Sequence, residues 1–374
     1  MNAEISTSKP KVHFHFLDAL RGIAALWVVL FHIEPDDRLV HLSPFLPKWF
    51  TVVVFERGHL GVPIFFVLSG FVIAHSLRKA KIDFSYFGRF ALRRLTRLTP
   101  PYYASIVVVL GFAFISSQAK GEAFAPMYKP LSLQRLLAHL VYLQDIFGLE
   151  NINDVYWTLC LEVQFYLVFC ALLGLAQWLE HSRNLPYARV AVFAPAAIVA
   201  ALFPLGVFPD TGRPVIFLPL WHTFLLGVFA YWSWKNSWKP IFCYSYGTLL
   251  MAAAIASSTR SMFTSASVIV ALILLEVGRA NRMQDWLSWR WLQFLGLISY
   301  SLYLTHTPIV GATFFLGYKL LNHSVWSEIL CLIAAILSCV VFAALMWHLI
   351  EKPSIQWSHK VKLVNSPETY QITS

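Results

Sequence analysis

The chain has 374 residues, of which 58% are hydrophobic and only 13% are charged, and its mean hydropathy is +0.61. A soluble protein of this length typically carries charge on about a quarter of its residues, so this composition excludes an ordinary soluble domain. The net charge of +10 would suit nucleic acid, but the basic residues cluster between apolar stretches, so we predict no nucleic-acid partner. The five cysteines lie in apolar segments without metal-ligand or disulfide spacing, and we predict no metal site.

Ten apolar stretches are long enough to cross a bilayer, since a spanning helix needs roughly 20 apolar residues. In chain order, the predicted spans are 15–33, 59–77, 100–118, 155–177, 187–205, 214–234, 240–257, 262–278, 294–318 and 325–350. We therefore predict an all-α integral membrane protein with about ten transmembrane helices. Its parts are an N-terminal tail at 1–14, a transmembrane domain at 15–353 and a C-terminal tail at 354–374.

The distribution of Lys and Arg predicts the orientation. With the N-terminus inside, the inside segments hold 20 of the 29 basic residues and the outside segments hold the other 9. Basic residues favour the cytoplasmic side of membrane proteins. An even number of spans then puts both termini in the cytoplasm, and the longer connections at 34–58 and 119–154 lie outside, where they could shape a site.

The first predicted span carries two ionisable residues, Arg21 and His32. They are 11 residues apart, which places them on one helix face about 16 Å apart along the axis. Ionisable groups inside a span are costly and commonly indicate function. Alternatively, Arg21 extends to the interface and His32 is a structural histidine. The shared face favours a functional interpretation.

Glu162 is the acidic residue of the fourth predicted span and lies roughly 10 Å from its outer end. His32 is near the outer end of the first span, so the two residues could approach each other. A carboxylate beside a histidine would orient the imidazole and raise its basicity. The alternative is a structural Glu that pairs with an Arg or a backbone group. His306 also lies deep in a predicted span, at 294–318.

A cluster of arginines precedes the third predicted span on the cytoplasmic side. Arg89, Arg93 and Arg97 repeat at helical spacing, and Arg94 adjoins them. Guanidinium groups suit phosphate. Taken alone, however, the cluster is more typical of a topology signal or of contact with anionic lipids.

Six motifs together resemble the acyltransferase-3 family of membrane O-acyltransferases over residues 14 to 353. They are Arg21 followed by His32, FFVLSGF at 65–71, RRLTRLTPPYY at 93–103, YWTLCLEVQFY at 156–166, LGLISYSLYLTHTP at 295–308, and Glu351-Lys352-Pro353. Each motif alone is modest, but their order and spacing together are specific to this family.

The resemblance implies a multi-pass protein of the bacterial inner membrane, with an acyl-CoA donor in the cytoplasm and an acceptor hydroxyl at or beyond the outer face. Family members acylate exopolysaccharides, O-antigens, peptidoglycan, Nod factors and macrolide sugars. His32 matches the family's essential histidine, Arg21 its paired basic residue, Arg94 and Arg97 its Arg-x-x-Arg motif, and Glu162 its acidic position. One subgroup carries an extracytoplasmic SGNH hydrolase-like domain, which we expect this chain to lack.

We therefore expect transfer of an acyl group, with acetyl as the first choice, from acyl-CoA to a hydroxyl of a free or lipid-linked carbohydrate. The expected catalytic residues are His32 and Glu162; the donor-binding residues are Arg21, Arg93, Arg94 and Arg97; the substrate-binding residues are Trp157, Tyr166, Tyr300 and His306. Three alternatives stay open: a small glycosylated acceptor, a proton-coupled transporter, and a scaffold for glycan assembly. A transporter would predict internal repeats, and the sequence shows none.

Overall fold

The computed structural model describes residues 13–34, 38–208, 214–256 and 261–363. All regular structure in these ranges is helical. The α-helices are α1 (His15–Phe31), α2 (Lys48–Thr51), α3 (Gly61–Ser76), α4 (Phe84–Lys120), α5 (Leu133–Leu140), α6 (Trp157–Ser182), α7 (Ala188–Leu202), α8 (Trp221–Trp234), α9 (Pro240–Ala256), α10 (Ser261–Arg279), α11 (Arg290–Leu320), α12 (Val325–Met346) and α13 (Lys352–Lys360). Two π-helical segments, Val52–Glu56 and Trp347–Glu351, adjoin α2 and α12.

Each of the ten predicted spans overlaps one helix of the bundle, but two starting points differ. Helix α4 begins at Phe84, well before the predicted start at 100, and continues through Pro100 and Pro101. Asp83 caps it by accepting a hydrogen bond from the Tyr86 amide at 2.7 Å. The arginine cluster is therefore part of the same helix as the span. Helix α8 begins at Trp221, later than the predicted 214.

Five helical stretches in the described ranges are long and apolar enough to cross a membrane. They are Gly58–Ser76, Phe84–Lys120, Asp154–Ser182, Met262–Arg279 and Val325–Lys360, and two shorter apolar helices are Ala188–Leu202 and Pro240–Ala256. Large apolar side chains such as Val107 (70% exposed) and Leu337 (58%) face outward, as lipid contact requires. Ten crossings and cytoplasmic termini stay predictions, and the outermost residues of both predicted tails lie outside the described ranges.

Glycines allow two pairs of helices to pack closely. A Cβ on Gly22 of α1 would lie 2.7 Å from the backbone nitrogen of Gly296 in α11, so a larger residue would separate these helices. Gly70 of α3 and Gly227 of α8 likewise each contact the backbone of the opposite helix. The close approach of α1 to α11 brings together the helices that carry His32 and His306.

A buried arginine organises the long connection between α4 and α6. Arg135 of α5 is 4% exposed, and its guanidinium donates to the backbone carbonyls of Pro126, Lys129, Pro130, Glu150 and Asn151. One turn later, Nε2 of the buried His139 accepts a hydrogen bond from the Ile152 amide at 3.0 Å. These contacts hold the residues that lead into α6 against α5.

Candidate active site

His32, at the C-terminal end of α1, contacts His306 in the middle of α11. Nδ1 of His32 lies 3.2 Å from Nε2 of His306, and the ring centroids are 4.8 Å apart. His306 is completely buried, whereas His32 is partly exposed. Gly22 precedes His32 by ten residues, and Gly296 precedes His306 by ten. The two helices therefore run in parallel and in register from the glycine contact to the histidine contact.

Backbone carbonyls determine the tautomers of this pair. Nδ1 of His306 lies 3.1 Å from the Leu302 carbonyl oxygen and 2.8 Å from that of Tyr303, so this nitrogen donates and Nε2 carries a lone pair. Nδ1 of His32 lies 2.9 Å from the Val28 carbonyl oxygen and therefore also carries a hydrogen, which it shares with Nε2 of His306. Nε2 of His32 is consequently the nitrogen of the pair that can accept a proton.

The connection that follows α5 docks beside this pair. The Asn153 side chain accepts a hydrogen bond from the Thr307 hydroxyl at 2.9 Å and donates to the Leu304 carbonyl at 3.4 Å. Thr307 and Leu304 flank His306 on α11. The long connection at 119–154 thus packs against the turn of α11 that carries His306.

A cavity of about 510 Å³ lies among α1, α3, α4, α6, α11 and the π-helical segment before α13. Its charged lining comprises three arginines and three carboxylates: Arg21, Arg94, Arg97, Asp18, Glu162 and Glu351. We call this space the arginine cavity. No group of three or more His, Cys, Asp or Glu side chains in the described ranges is placed to hold a metal ion.

The three arginines of this cavity differ in how they are held. Nη1 of Arg21 pairs with Oδ1 of Asp18 at 3.2 Å. The Arg94 guanidinium lies 4.7 Å from the centroid of the Tyr166 ring, a cation–π contact. The Arg97 side chain, in the part of the chain that the structure describes, makes no hydrogen bond or ion pair. Arg97 is therefore the most available donor to an anionic ligand.

Tyr303 connects the cavity to the histidine pair. Its side chain lines the cavity together with Phe65, and the two rings meet edge to face with centroids 5.6 Å apart. The Tyr303 ring lies 6.1 Å from that of His306, and its hydroxyl lies 2.9 Å from the Thr158 hydroxyl. Tyr303 therefore lies between the cavity and the histidine pair.

Residues 14–348 match the acyltransferase domain family Acyl_transf_3. The chain belongs to this family. Similar proteins include the peptidoglycan O-acetyltransferase OatA of Listeria monocytogenes, 25% identical over 370 residues that cover 90% of this chain and 55% of that protein. Another is the O-acetyltransferase OatA of Staphylococcus aureus, 26% identical over 329 residues that cover 79% and 50%. The chain spans about half the length of these relatives, and no solved structure matches it.

The membership confirms the family resemblance, and the structure gathers several of the residues that the family motifs supplied. Arg21, Arg94, Arg97 and Glu162 all line the arginine cavity, although they come from three helices. His32 lies beyond the cavity, next to His306. These motif residues therefore divide between a cavity lined by charged side chains and a histidine pair.

Glu162 does not contact His32, which corrects the predicted pairing. Its Oε1 accepts hydrogen bonds from the Ser69 hydroxyl, at 2.8 Å, and from the Tyr166 hydroxyl. The rise of a helix gives the depth of a residue but not the direction of its side chain, and α6 turns Glu162 toward Ser69 of α3. The side-chain partner of His32 is His306.

The remaining predicted residues are placed as follows. Arg93 does not line the arginine cavity, although it lies one turn before Arg97 on α4. Trp157 does not line it either, and its ring packs edge to face on Phe66 with centroids 6.2 Å apart. Tyr166 and Tyr300 do line the cavity. The roles assigned to all of these residues stay predictions.

Among the cavity residues that the sequence interpretation missed, two lie at or near its Glu-Lys-Pro motif. Glu351 is 5% exposed and accepts a hydrogen bond from the Ser301 hydroxyl at 2.6 Å. Trp347 also lines the cavity, and its buried Nε1 has no hydrogen-bond partner in the described residues. Both lie in the π-helical segment Trp347–Glu351, and π-helical segments are frequent at functional sites. The motif itself, noted only as part of the resemblance, was the available signal.

Proposed function

We propose that the protein is a membrane O-acyltransferase that moves an acyl group, acetyl as the first choice, from cytoplasmic acyl-CoA to a hydroxyl of a surface or exported glycan. The observation that carries the proposal is the histidine pair, which leaves Nε2 of His32 as a proton acceptor beside an arginine-lined cavity. Membership in an acyltransferase family and the names of the relatives support the reaction class.

His32 acts as the general base in the proposed reaction. Nε2 takes the proton of the acceptor hydroxyl, whose oxygen attacks the carbonyl carbon of the thioester. The tetrahedral intermediate then collapses with cleavage of the C–S bond, and the thiolate takes the proton from the imidazolium to leave as the CoA thiol. An acyl-histidine route, in which Nε2 attacks the thioester first, would use the same nitrogen.

His306 positions His32 and stabilises its protonated form. When Nε2 of His32 takes up a proton, Nδ1–H still donates to the Val28 carbonyl and to Nε2 of His306. Both of these hydrogen bonds then become charge-assisted, which strengthens them. His306 therefore takes the role that the sequence interpretation gave to Glu162.

The arginine cavity holds the donor in this proposal. Arg97 offers its guanidinium to the donor's phosphates, and Arg94 and Arg21 flank it. The buried Nε1 of Trp347 offers one further hydrogen-bond donor. The acyl arm would extend past Tyr303 toward His32.

The proposed acceptor is a glycan of the cell surface or one in export, such as an exopolysaccharide, an O-antigen or peptidoglycan. The name of the Listeria relative, a peptidoglycan O-acetyltransferase, favours peptidoglycan. A small glycosylated metabolite is the alternative acceptor. A proton-coupled transporter is the alternative from another class, because a pair of histidines inside a membrane can also pass protons.

Acetyl transfer by the purified protein in lipid nanodiscs tests the proposal. Radiolabelled acetyl-CoA is supplied with each class of glycan, and label on the glycan is measured together with released CoA. His32→Ala should abolish transfer and leave acetyl-CoA affinity, measured by calorimetry, nearly unchanged. His181→Ala is the matched control, since His181 is exposed at the end of α6 and does not line the arginine cavity.

Wild-type turnover by His32→Ala would rule out His32 as the base. Proton-driven uptake of solute without thioester cleavage would instead establish the transporter.

A further inference from the structure

A second cavity, of about 560 Å³, opens where α3 and α8 end and α7 begins. Its lining includes three basic residues, Arg78, Arg189 and Lys235, and no Asp or Glu among the described residues. The arginine cavity differs in this respect, because three carboxylates there offset three arginines. The second cavity is therefore the more electropositive of the two.

Aromatic rings form much of its wall. The Phe14 ring lies 5.7 Å from that of Trp234 and 5.0 Å from that of His75. Nζ of Lys235 lies 3.5 Å from the centroid of the Trp234 ring. Phe14 also separates the two cavities, since its neighbours His13 and His15 line the arginine cavity. The second cavity is thus a distinct space with flat apolar surfaces beside its cations.

The cations of the second cavity are held near one another by the fold. Nη1 of Arg78 donates to the His75 carbonyl at 2.9 Å, which fixes it at the end of α3. The half-buried Arg189 makes no hydrogen bond or ion pair in the described ranges. Burial and the nearby Arg78 guanidinium lower the pKa of Lys235.

We propose that this second cavity is a binding site for a phosphate-bearing anion, separate from the arginine cavity. Guanidinium groups bind phosphate oxygens in pairs, and an ammonium adds a point charge. The aromatic wall suits the organic group attached to the phosphate. All three cations lie in segments that the charge bias predicts to be cytoplasmic, where two sources offer this chemistry: nucleotides, including the nucleotide end of acyl-CoA, and anionic lipid headgroups.

Two probes distinguish these sources. The nucleotide probe is adenosine 3′,5′-bisphosphate, titrated by calorimetry into the full chain in phosphatidylcholine nanodiscs. The lipid probe is phosphatidylglycerol, scored by native mass spectrometry as lipid retained on the protein released from mixed nanodiscs.

The cavity variant combines Arg78→Gln, Arg189→Gln and Lys235→Gln. The matched control combines Lys81→Gln, Arg183→Gln and Lys239→Gln, which removes the same charge from exposed positions on the same predicted face that line neither cavity. A third variant, Arg94→Gln with Arg97→Gln, reports on the arginine cavity. Arg189→Gln alone replaces the triple variant if thermal unfolding shows that the triple variant is not folded.

The cavity variant should bind one probe at least about tenfold more weakly than wild type, as expected for the loss of charge-assisted contacts. The control should stay within about twofold. Loss confined to the bisphosphate identifies the nucleotide source, and loss confined to phosphatidylglycerol identifies the lipid source. Equal binding of both probes by the cavity variant and the control would overturn the proposal. So would loss of binding only in the Arg94/Arg97 variant.

Discussion

Replacing His306 with alanine tests the tautomer assignment on which the proposed chemistry rests. In the wild type, Nδ1–H of His32 has two acceptors: the Val28 carbonyl at 2.9 Å and Nε2 of His306 at 3.2 Å. The variant keeps the first acceptor, so the tautomer of His32 and its basic Nε2 are retained. Only the second hydrogen bond is lost.

The size of the effect follows from the charge that His32 acquires during the reaction. A neutral hydrogen bond contributes about 0.5–1.5 kcal/mol, and one to a charged group about 1.5–3 kcal/mol. The extra stabilisation that His306 gives to the imidazolium of His32 is the difference between these two values, about 1–2 kcal/mol. Loss of that difference lowers kcat about 5- to 30-fold, whereas loss of the base itself costs about 10²–10⁴-fold.

Steady-state kinetics in nanodiscs measures this effect. We expect kcat to fall and the KM for acetyl-CoA to stay unchanged, because His306 does not line the arginine cavity. His306→Gln should recover part of the rate, since its side-chain carbonyl can accept from His32. A loss as large as that of His32→Ala would make His306 itself the base. An unchanged kcat would remove His306 from the chemistry.

Three further predictions concern the donor, the topology and the outer connection. Arg94→Ala with Arg97→Ala should weaken acetyl-CoA binding at least about tenfold through lost charge-assisted contacts, and unchanged affinity by calorimetry would place the phosphates elsewhere. A cysteine introduced at position 120 should react with an impermeant thiol reagent from outside the cell, whereas cysteines introduced at 81 and 239 should react only after permeabilisation. The five native cysteines are buried and give little background labelling. The reverse labelling pattern would invert the predicted topology. Burial lowers the pKa of His139 from 6.5 to about 4. As pH falls, the unfolded connection therefore takes up a proton before the folded one does. The stability that this difference gives the folded connection is complete above about pH 6.5 and is lost toward pH 4, with a loss of about 2 kcal/mol at pH 5. Protease cleavage within 119–154 should therefore speed up at pH 5 in the wild type but not in His139→Gln, and equal acceleration in both would refute this assignment.

The positions of the helices were predictable because their signal is local. Twenty apolar residues in a row predict a helix whatever it packs against, and each predicted span overlaps one helix. Arg21 and Glu162 could be singled out for a related reason: ionisable groups inside apolar helices are costly and commonly indicate function. The early start of α4 was missed because Pro100 and Pro101 were interpreted as the beginning of a span.

The partners of the ionisable residues were harder to predict, because a partner depends on how helices rotate against each other. Depth alone suggested that Glu162 meets His32, yet Glu162 contacts Ser69 and Tyr166. One usable signal was present: Gly22 and Gly296 precede His32 and His306 by the same ten residues. The glycines permit close approach of the helices, and each is followed at the same spacing by a histidine. This pattern predicts the histidine pair only once α1 and α11 are known to be parallel neighbours.

The separation between the arginines and His32 bears on which donor the site can use. Arg21 and His32 are 11 residues apart on α1, or about 16 Å along the axis, and Arg94 and Arg97 share the arginine cavity with Arg21. An anion held by these arginines therefore delivers its acyl carbon to Nε2 of His32 only if a chain of comparable length joins the two. Acetyl phosphate carries its acyl group directly on the phosphate and does not meet this requirement, whereas the phosphopantetheine arm of a CoA thioester does. Three carboxylates already offset the arginines of this cavity, so the charge of the proposed CoA donor would also favour the second cavity, whose lining in the described ranges contains no Asp or Glu.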